Sequence, residues 1–239
     1  MTRLRTLTRM ALHEMWITFR LWFVIGLPVL GGMVVIGLPP ELSGLTAVGG
    51  AGFWYAIASA FAICVASGMA AATMAHELQR GTVAWLAVRA VPRSAVLSSW
   101  FAAFGLLLGT GIALGSIGAW LAAIARAEAP PDFVPFVSAI VATIGVALVC
   151  VAAALFIGTF LRVLPAAVVA VALTAPILAA VIFGPLGGER LPTGGIGLLA
   201  HLDGAVRPLG AALQATGGAL AITAVLLVLA GVGLERSDL

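Results

Sequence analysis

Six long apolar runs without a charged residue constrain this chain more than any other feature. They cover residues 21–38, 53–75, 100–125, 136–161, 164–183 and 211–234. Crossing the hydrocarbon core of a bilayer as an α-helix takes about 20 residues, so each run is long enough to span. Backbone groups inside lipid must be satisfied within the segment itself, which favours helices. The sequence therefore predicts an all-α membrane protein with six transmembrane helices in a single transmembrane domain, residues 1–239.

The composition agrees with this fold class. Hydrophobic residues make up 62% of the chain and charged residues 9%, which leaves too little polar surface for a water-soluble globule. The 12 basic residues are all arginine. A P-loop ATPase needs a lysine to reach the phosphates, so the chain carries no site of that kind. Cys64 and Cys150 lie in apolar runs and are interpreted as small buried side chains.

The arginines are distributed unevenly between the segments that connect the runs. Segments predicted to lie on one side contain Arg3, Arg5, Arg9, Arg20, Arg80, Arg89, Arg93, Arg162 and Arg236, whereas the other side contains only Arg126, Arg190 and Arg207. The positive-inside rule places the richer side, with both termini, in the cytoplasm. A net charge of +3 thus relates to membrane orientation and not to nucleic acid. Alanine- and glycine-rich usage without lysine is typical of a high-GC bacterium, so we expect the bacterial cytoplasmic membrane.

Residues 1–20 have the pattern of an amphipathic helix. Helical spacing puts one set of side chains on an apolar side, namely Leu4, Leu7, Ala11, Met15 and Phe19. A second set lies on a basic side, namely Arg5, Arg9, His13 and Arg20. This pattern predicts an interfacial helix on the inner leaflet. A signal peptide is the alternative, but the following run 21–38 is long enough to span and no clear cleavage site follows it.

Two further segments outside the apolar runs have their own patterns. The outer segment 184–210 is long and half apolar, and it predicts one or two short helices that cap the outer end of the bundle. The inner segment 76–98 carries Glu77, Arg80, Arg89 and Arg93, yet it retains a face of leucine, valine and tryptophan. We interpret it as an amphipathic coupling helix on the cytoplasmic side, which is suited to docking a soluble partner.

Two further features of the apolar runs are the lack of charged residues and the spacing of their glycines. Ion-coupled carriers usually keep an Asp, Glu, Lys, Arg or His near the bilayer midplane, and none of the six runs contains one of these residues. Energy for a transport step would then come from a cytoplasmic partner. The pairs Gly105-x-x-x-Gly109 and Gly111-x-x-x-Gly115 would allow close helix contacts in the third span.

The central segment resembles a known motif. Glu77-Leu78-Gln79-Arg80-Gly81-Thr82 is similar to the Glu-x-x-x-Gly-Thr signature in the cytoplasmic loop of type-2 ABC transporter permeases. The tail Arg236-Ser237-Asp238-Leu239 is similar to the Arg-x-Asp-Leu ending common in that family. The six-span plan, the N-terminal amphipathic helix and the long outer loop before the last span fit the same family. The resemblance covers essentially the whole chain, and its specific element is the central motif.

The resemblance implies a permease subunit that exports a hydrophobic or amphipathic substrate. Its partners would be two nucleotide-binding subunits on separate chains and a second copy of itself or a homologous permease. ATP and Mg would bind to the nucleotide-binding subunits, and this chain would hold no cofactor, catalytic residue or metal. Residues expected to couple to the ATPase are Glu77, Arg80, Gly81, Thr82, Trp85 and Arg89.

The substrate stays open at this level, and so do two other classes of function. Residues that could line a substrate pathway are Phe53, Trp54, Phe61, Ser67 and Thr110; a lipid, a drug, a peptide or a haem-like cargo would be compatible. A membrane-embedded enzyme acting on lipid or peptide is one alternative, with its only polar cluster at Glu189, Arg190, His201, Asp203 and Arg207. That cluster lacks metal-ligand spacing, so a solvated loop is favoured. An ATP-independent channel or scaffold is the other alternative, but it leaves the amphipathic segment 76–98 unexplained.

Overall fold

The structure is a computed structural model that describes residues 2–37, 50–81, 91–125, 133–183 and 209–236. Within these ranges it consists of seven α-helices and contains no strand. The helices are α1 (Thr2–Ile17), α2 (Arg20–Gly37), α3 (Gly50–Gln79), α4 (Arg93–Ala125), α5 (Phe133–Gly158), α6 (Val163–Phe183) and α7 (Leu209–Arg236). The prediction of an all-α fold is confirmed.

Each of the six apolar runs corresponds to one of the helices α2 to α7, with shifted bounds. α3 continues through His76 and Glu77 to Gln79, and α4 begins at Arg93, directly after Pro92. The Pro92 carbonyl accepts a hydrogen bond from the Ala95 amide at 2.9 Å, which closes the first turn of α4. A proline is favoured at such a position because its missing N–H would have no partner inside the helix. Both ends of the predicted segment 76–98 thus belong to these two helices, and residues 80–92 connect them.

Four helical segments in the described part of the chain are long and apolar enough to cross a membrane. They are Ile57–Gln79, Arg93–Leu121, Ile140–Gly158 and Thr216–Glu235. α1 and α2 pass the same test as a pair that is bent by 77°, which makes five spans if the pair counts as one. The apolar part of α6, Val163–Pro176, is shorter. The protein is thus an all-helical membrane-type bundle with four or five candidate spans, and the count of six stays a prediction.

Two helices form the centre of the bundle. α3 contacts α2, α4, α5 and α6, and α4 additionally contacts α1 and α7. Their facing sides are fully buried and mix large side chains, such as Ile63, Met74 and Phe104, with alanine. Alanine on the facing sides lets the helix axes approach closely, and the large side chains fill the remaining space.

The two glycine pairs of α4 lie at contacts with two different helices. A Cβ at Gly105 or Gly109 would meet side chains of α5, whereas a Cβ at Gly111 would meet the backbone of α2. Gly115 opposes Gly32 of α2, and the two backbones touch without a side chain between them. The expectation that these pairs are packing contacts is confirmed. The reason is steric, since a side chain on either helix would separate α2 from α4.

Apolar side chains also cover the outer surface. Leu164 and Val168 on α6, and Val225 and Val228 on α7, are each more than half exposed. In water such a surface would drive aggregation, but lipid chains can cover it at no cost in hydration. The outer surface therefore agrees with a protein embedded in a membrane.

The glycine contact between α2 and α4 gives a matched pair of substitutions. Gly32→Ala would place a Cβ about 3.0 Å from the Gly115 Cα, and backbone cannot move aside as a flexible side chain can. We expect a loss of about 1–3 kcal/mol of stability, or roughly 3–10 °C in the midpoint of thermal unfolding in detergent. Gly26→Ala on the same helix meets nothing within 4 Å and should be neutral or slightly stabilising. Equal behaviour of the two variants would contradict the contact.

Candidate functional site at the arginine-rich end

Six helix ends meet at one end of the bundle. The start of α2 lies beside the end of α3, where Arg20 bonds to Thr73. The end of α5 packs on α3, since a Cβ at Gly158 would lie 2.9 Å from the Met74 Cβ. The start of α4 reaches the end of α7, and four residues separate the end of α5 from the start of α6. We call this the arginine-rich end because Arg20, Arg80, Arg93 and Arg162 all lie there, with α1 beside them.

Arg20 forms a hydrogen bond that joins the first residue of α2 to the last turns of α3. Its Nη1 donates to the Thr73 Oγ1 at 2.8 Å, and that hydroxyl donates in turn to the Met69 carbonyl at 2.7 Å. Thr73 is almost completely buried, whereas Arg20 is half-buried. The hydroxyl thus uses both its proton and a lone pair, and a hydrogen bond to a charged group is stronger than a neutral one.

Glu77 lies one helical turn beyond Thr73 on α3. Its side chain is only 6% exposed, and it interacts with a neighbouring group. A buried carboxylate is costly unless hydrogen bonds or an opposite charge compensate it. Since residues four apart share a helix face, Glu77 and Thr73 lie on the same face of α3, and Arg20 contacts that face. A buried acidic group therefore lies at the arginine-rich end, one helical turn from the contact between Arg20 and Thr73.

Two further contacts fasten the helix ends to one another. Arg93 Nη1 donates to the Leu234 carbonyl at 2.9 Å, so the first residue of α4 caps the last turn of α7. Carbonyls in the last turn of a helix have no partner within the helix, and an arginine also interacts favourably with the negative end of the helix dipole. The Phe160 ring lies over Gly233, where a Cβ would approach it within 2.7 Å.

Gly81 ends α3 in a tight turn. Its φ of 69° lies in the left-handed region, which glycine adopts without steric cost. The Arg80 amide donates to the His76 carbonyl at 2.9 Å, and the Gly81 amide donates to the Leu78 carbonyl at 3.1 Å. A left-handed glycine after the last helical residue is a common way to end a helix. Gly81 therefore allows a tight turn directly after the end of α3.

The amphipathic pattern predicted for residues 1–20 is correct within α1 but wrong for Phe19 and Arg20, which follow it. Ala11 and Met15 are buried against the bundle, but α1 stops at Ile17, and Phe19 is 67% exposed with a φ of 59°. A phenylalanine in the left-handed region turns the chain, so Arg20 is not on the basic side of α1. It points to Thr73 instead. Helical periodicity cannot reveal such a break because it assumes a continuous helix.

The residues predicted to couple to an ATPase are placed only in part. Glu77 is buried, Arg80 is exposed and Gly81 forms the turn. Thr82, Trp85 and Arg89 lie outside the described residues. The structure adds that both ends of the connecting segment 80–92 are fixed to the bundle. Its start follows α3 directly, and its end leads to Arg93, which bonds to α7. The sequence analysis did not identify Arg20 and Thr73 as partners, since no sequence pattern links residues 53 positions apart.

Three of the predicted substrate-pathway residues have side chains that the structure describes, and these differ in their surroundings. Ser67 has no accessible surface, so it lines no cavity in this conformation, and within the described part of the chain its hydroxyl has no hydrogen-bond partner. Phe61 is 61% exposed on the outside of α3. Thr110 is exposed on α4 and donates to the Leu106 carbonyl at 2.7 Å. Phe53 and Trp54 belong to α3, but their side chains are outside the described set.

The outer polar cluster and the predicted capping helices lie in residues 184–208, outside the described ranges, as does the tail 237–239. In the ranges that are described, no three His, Cys, Asp or Glu side chains come together as a group that could hold a metal ion. The arginine-rich end is thus the polar feature that the structure allows us to analyse.

Comparison with known proteins adds no relative. No protein-family model matches the chain, and neither the curated proteins nor the solved structures contain a significant match.

The hydrogen bond between Arg20 and Thr73 can be tested with a matched threonine. Thr174 is also buried and donates to the carbonyl four residues earlier, but the bonds that the structure gives its hydroxyl include none from an arginine. Thr73→Val should lower the free energy of unfolding by at least about 1 kcal/mol more than Thr174→Val, because it removes a charge-assisted bond as well.

The measurement is a double-mutant cycle on the free energy of unfolding in mixed detergent micelles. The losses from Arg20→Gln and Thr73→Val should not add, whereas those from Arg20→Gln and Thr174→Val should. Additivity in both cycles would show that the bond contributes nothing to stability.

Proposed function

We propose that this protein is the transmembrane permease subunit of an ATP-driven ABC transporter that exports a hydrophobic or amphipathic substrate. The observation that carries the proposal is the arrangement around Glu77. A buried acidic side chain lies in the last turn of the central helix α3, and a glycine in the left-handed region follows the helix. The resemblance to type-2 permeases rests on these same residues, Glu77 and Gly81.

Anchoring of the connecting segment supports a mechanical role. The segment 80–92 joins α3 to α4, and these two helices contact all the others between them. A force on the segment would therefore act directly on the centre of the bundle. A flexible loop that only linked two spans would not need a buried carboxylate at its base. In the proposed complex, Arg80, Thr82, Trp85 and Arg89 contact the nucleotide-binding subunit, and Glu77 holds the base of the segment.

The proposed topology has six spans, with both termini and the arginine-rich end in the cytoplasm. Support comes from the clustering of Arg20, Arg80, Arg93 and Arg162 where six helix ends meet. Arginine is retained on the cytoplasmic side of bacterial membranes. The nucleotide-binding subunits act from that side and carry ATP and Mg. In the proposed complex, the chain pairs with a second copy of itself or with a homologous permease. The proposal assigns it no catalytic residue and no site for nucleic acid or metal.

In this proposal, ATP drives a change between two states of the bundle. Closure of the nucleotide-binding subunits moves the connecting segment, and the ends of α3 and α4 move with it. A ligand can shift such an equilibrium only by the difference in its affinity for the two states. Ser67 is enclosed in the observed conformation, and we assign its unpartnered hydroxyl, with Phe53, Trp54, Phe61 and Thr110, to the path that opens in the other state.

A matched pair of arginines tests the docking surface. Arg89→Gln removes a side chain from the connecting segment, whereas Arg162→Gln removes an exposed one from the turn between α5 and α6. The chain is co-expressed with the ATP-binding protein encoded beside it and purified in detergent. We expect Arg89→Gln to reduce the co-eluting ATPase at least about fivefold, as for an arginine at an interface hot spot, and Arg162→Gln to leave it unchanged. A wild-type chain that elutes without an ATPase would overturn the proposal.

Glu77→Gln tests coupling and not docking. The substitution keeps the shape of the buried side chain and removes its charge, and we expect the ATPase still to co-elute. ATP turnover of the complex in lipid should fall about tenfold or more, since losing a hydrogen bond to a charged group costs about 1.5–3 kcal/mol. A membrane enzyme or an ATP-independent channel would keep its activity in this variant. Full ATP turnover in Glu77→Gln would remove the coupling role from this residue.

A further inference from the structure

The face of α1 that the sequence assigns to the membrane is occupied by the bundle. Ala11 and Met15 are buried, and Leu7 and Leu12 are half-buried, where α1 contacts α4 and α2. An interfacial helix normally inserts its apolar face into the lipid. Since that face is already used, the surface of α1 that can meet lipid is the opposite one.

The opposite surface carries a basic row. Arg5, Arg9 and His13 are all exposed, and their spacing of four residues places them on one side of the helix. At about 1.5 Å of rise per residue the row is about 12 Å long. Glu14 is the acidic residue of the described α1, and it is half-buried about 100° around the helix from His13.

An apolar edge runs beside this row. Met10 and Ile17 are each 61% exposed and lie one above the other, seven residues apart. Trp16, seven residues after Arg9, lies at the end of the basic row. It is 53% exposed, and its ring lies 5.3 Å from that of Trp22 at the start of α2. Exposed apolar surface therefore continues from the end of α1 across the bend onto α2, which enters the bundle.

We propose that this exposed surface of α1 is a binding site for anionic phospholipid headgroups. The guanidinium groups of Arg5 and Arg9 contact the phosphates, while Met10, Trp16 and Ile17 sit among the upper parts of the acyl chains. The inference uses the membrane-embedded bundle but not the ATPase, so it stands apart from the proposed transport function.

Two observations favour lipid over a soluble protein partner. The basic row and the apolar edge are adjacent on the same exposed side, which is the arrangement that the boundary between headgroups and acyl chains accommodates. The apolar edge is also continuous with Trp22 and Phe23, both more than half exposed at the start of the next helix. A soluble protein covering α1 would leave that continuous surface only partly covered.

Lipid retention by the full-length chain tests the proposal. The protein is purified in detergent at pH 7.5 and 150 mM salt, titrated with phosphatidylglycerol or phosphatidylcholine, and the bound lipid is counted by native mass spectrometry. The wild type should retain phosphatidylglycerol in preference. Each basic residue near an anionic membrane surface contributes about fivefold in affinity, so Arg5→Gln with Arg9→Gln should weaken retention about 25-fold.

The control removes the same charge from elsewhere on the same end. Arg80 and Arg162 are also exposed, and neither belongs to the surface of α1 that combines the basic row with the apolar edge. Arg80→Gln with Arg162→Gln should therefore change retention less than about twofold. Circular dichroism of both double variants checks that the helices are intact.

Three results would overturn the site. The first is equal retention of the two lipids by the wild type, and the second is an equal loss of phosphatidylglycerol in the two double variants. The third is a loss of the co-purified ATPase in Arg5→Gln with Arg9→Gln while lipid retention is unchanged. The last result would assign the surface to a protein partner. A chain that binds no ATPase but shows the selective lipid loss would support the lipid site while the transport proposal fails.

Discussion

Satisfaction of backbone hydrogen bonds away from water is the constraint on which this structure depends. Long apolar runs can meet it only as continuous helices, and the runs identified in the sequence correspond to α2 through α7. Because lipid chains are as apolar as leucine, burial of apolar surface does not hold such helices together. Close packing does so instead, which explains why the contact between α2 and α4 is made by Gly32 against Gly115.

Polar interactions are concentrated where the helices end. Arg20 bonds to Thr73 and Arg93 caps the end of α7, so single side chains fasten helices that are distant in sequence. Glu77 is buried among these ends and Gly81 turns the chain away from them. The consequence is that the helix ends on both sides of the segment 80–92 are fastened to the bundle. This geometry supports the proposed role of the segment in transmitting force to the bundle.

The sequence predicts the helices well and their partners poorly. Hydropathy identifies α3 and α5 because each needs only a local run of apolar residues. It misjudges the start of α4 by seven residues, since Arg93 and Ser94 are polar but remain helical. At Phe19 the chain turns although no glycine or proline marks the position. The motif around Glu77 is visible in the sequence, whereas the burial of that carboxylate is a property of the helices around it.

The fold class, the positions of the long helices and the uneven distribution of arginine could be read from the amino-acid sequence. These follow from local chemistry: hydropathy, helical spacing and the placement of charge between the apolar runs. The tertiary structure alone decided that Arg20 leaves the basic side of α1 for Thr73, and that the apolar face of α1 packs on the bundle and leaves a basic surface exposed. The physical reason is that such contacts depend on which helix faces lie next to one another. A sequence pattern shows that a helix has an apolar or a basic face, but it does not show what packs against that face.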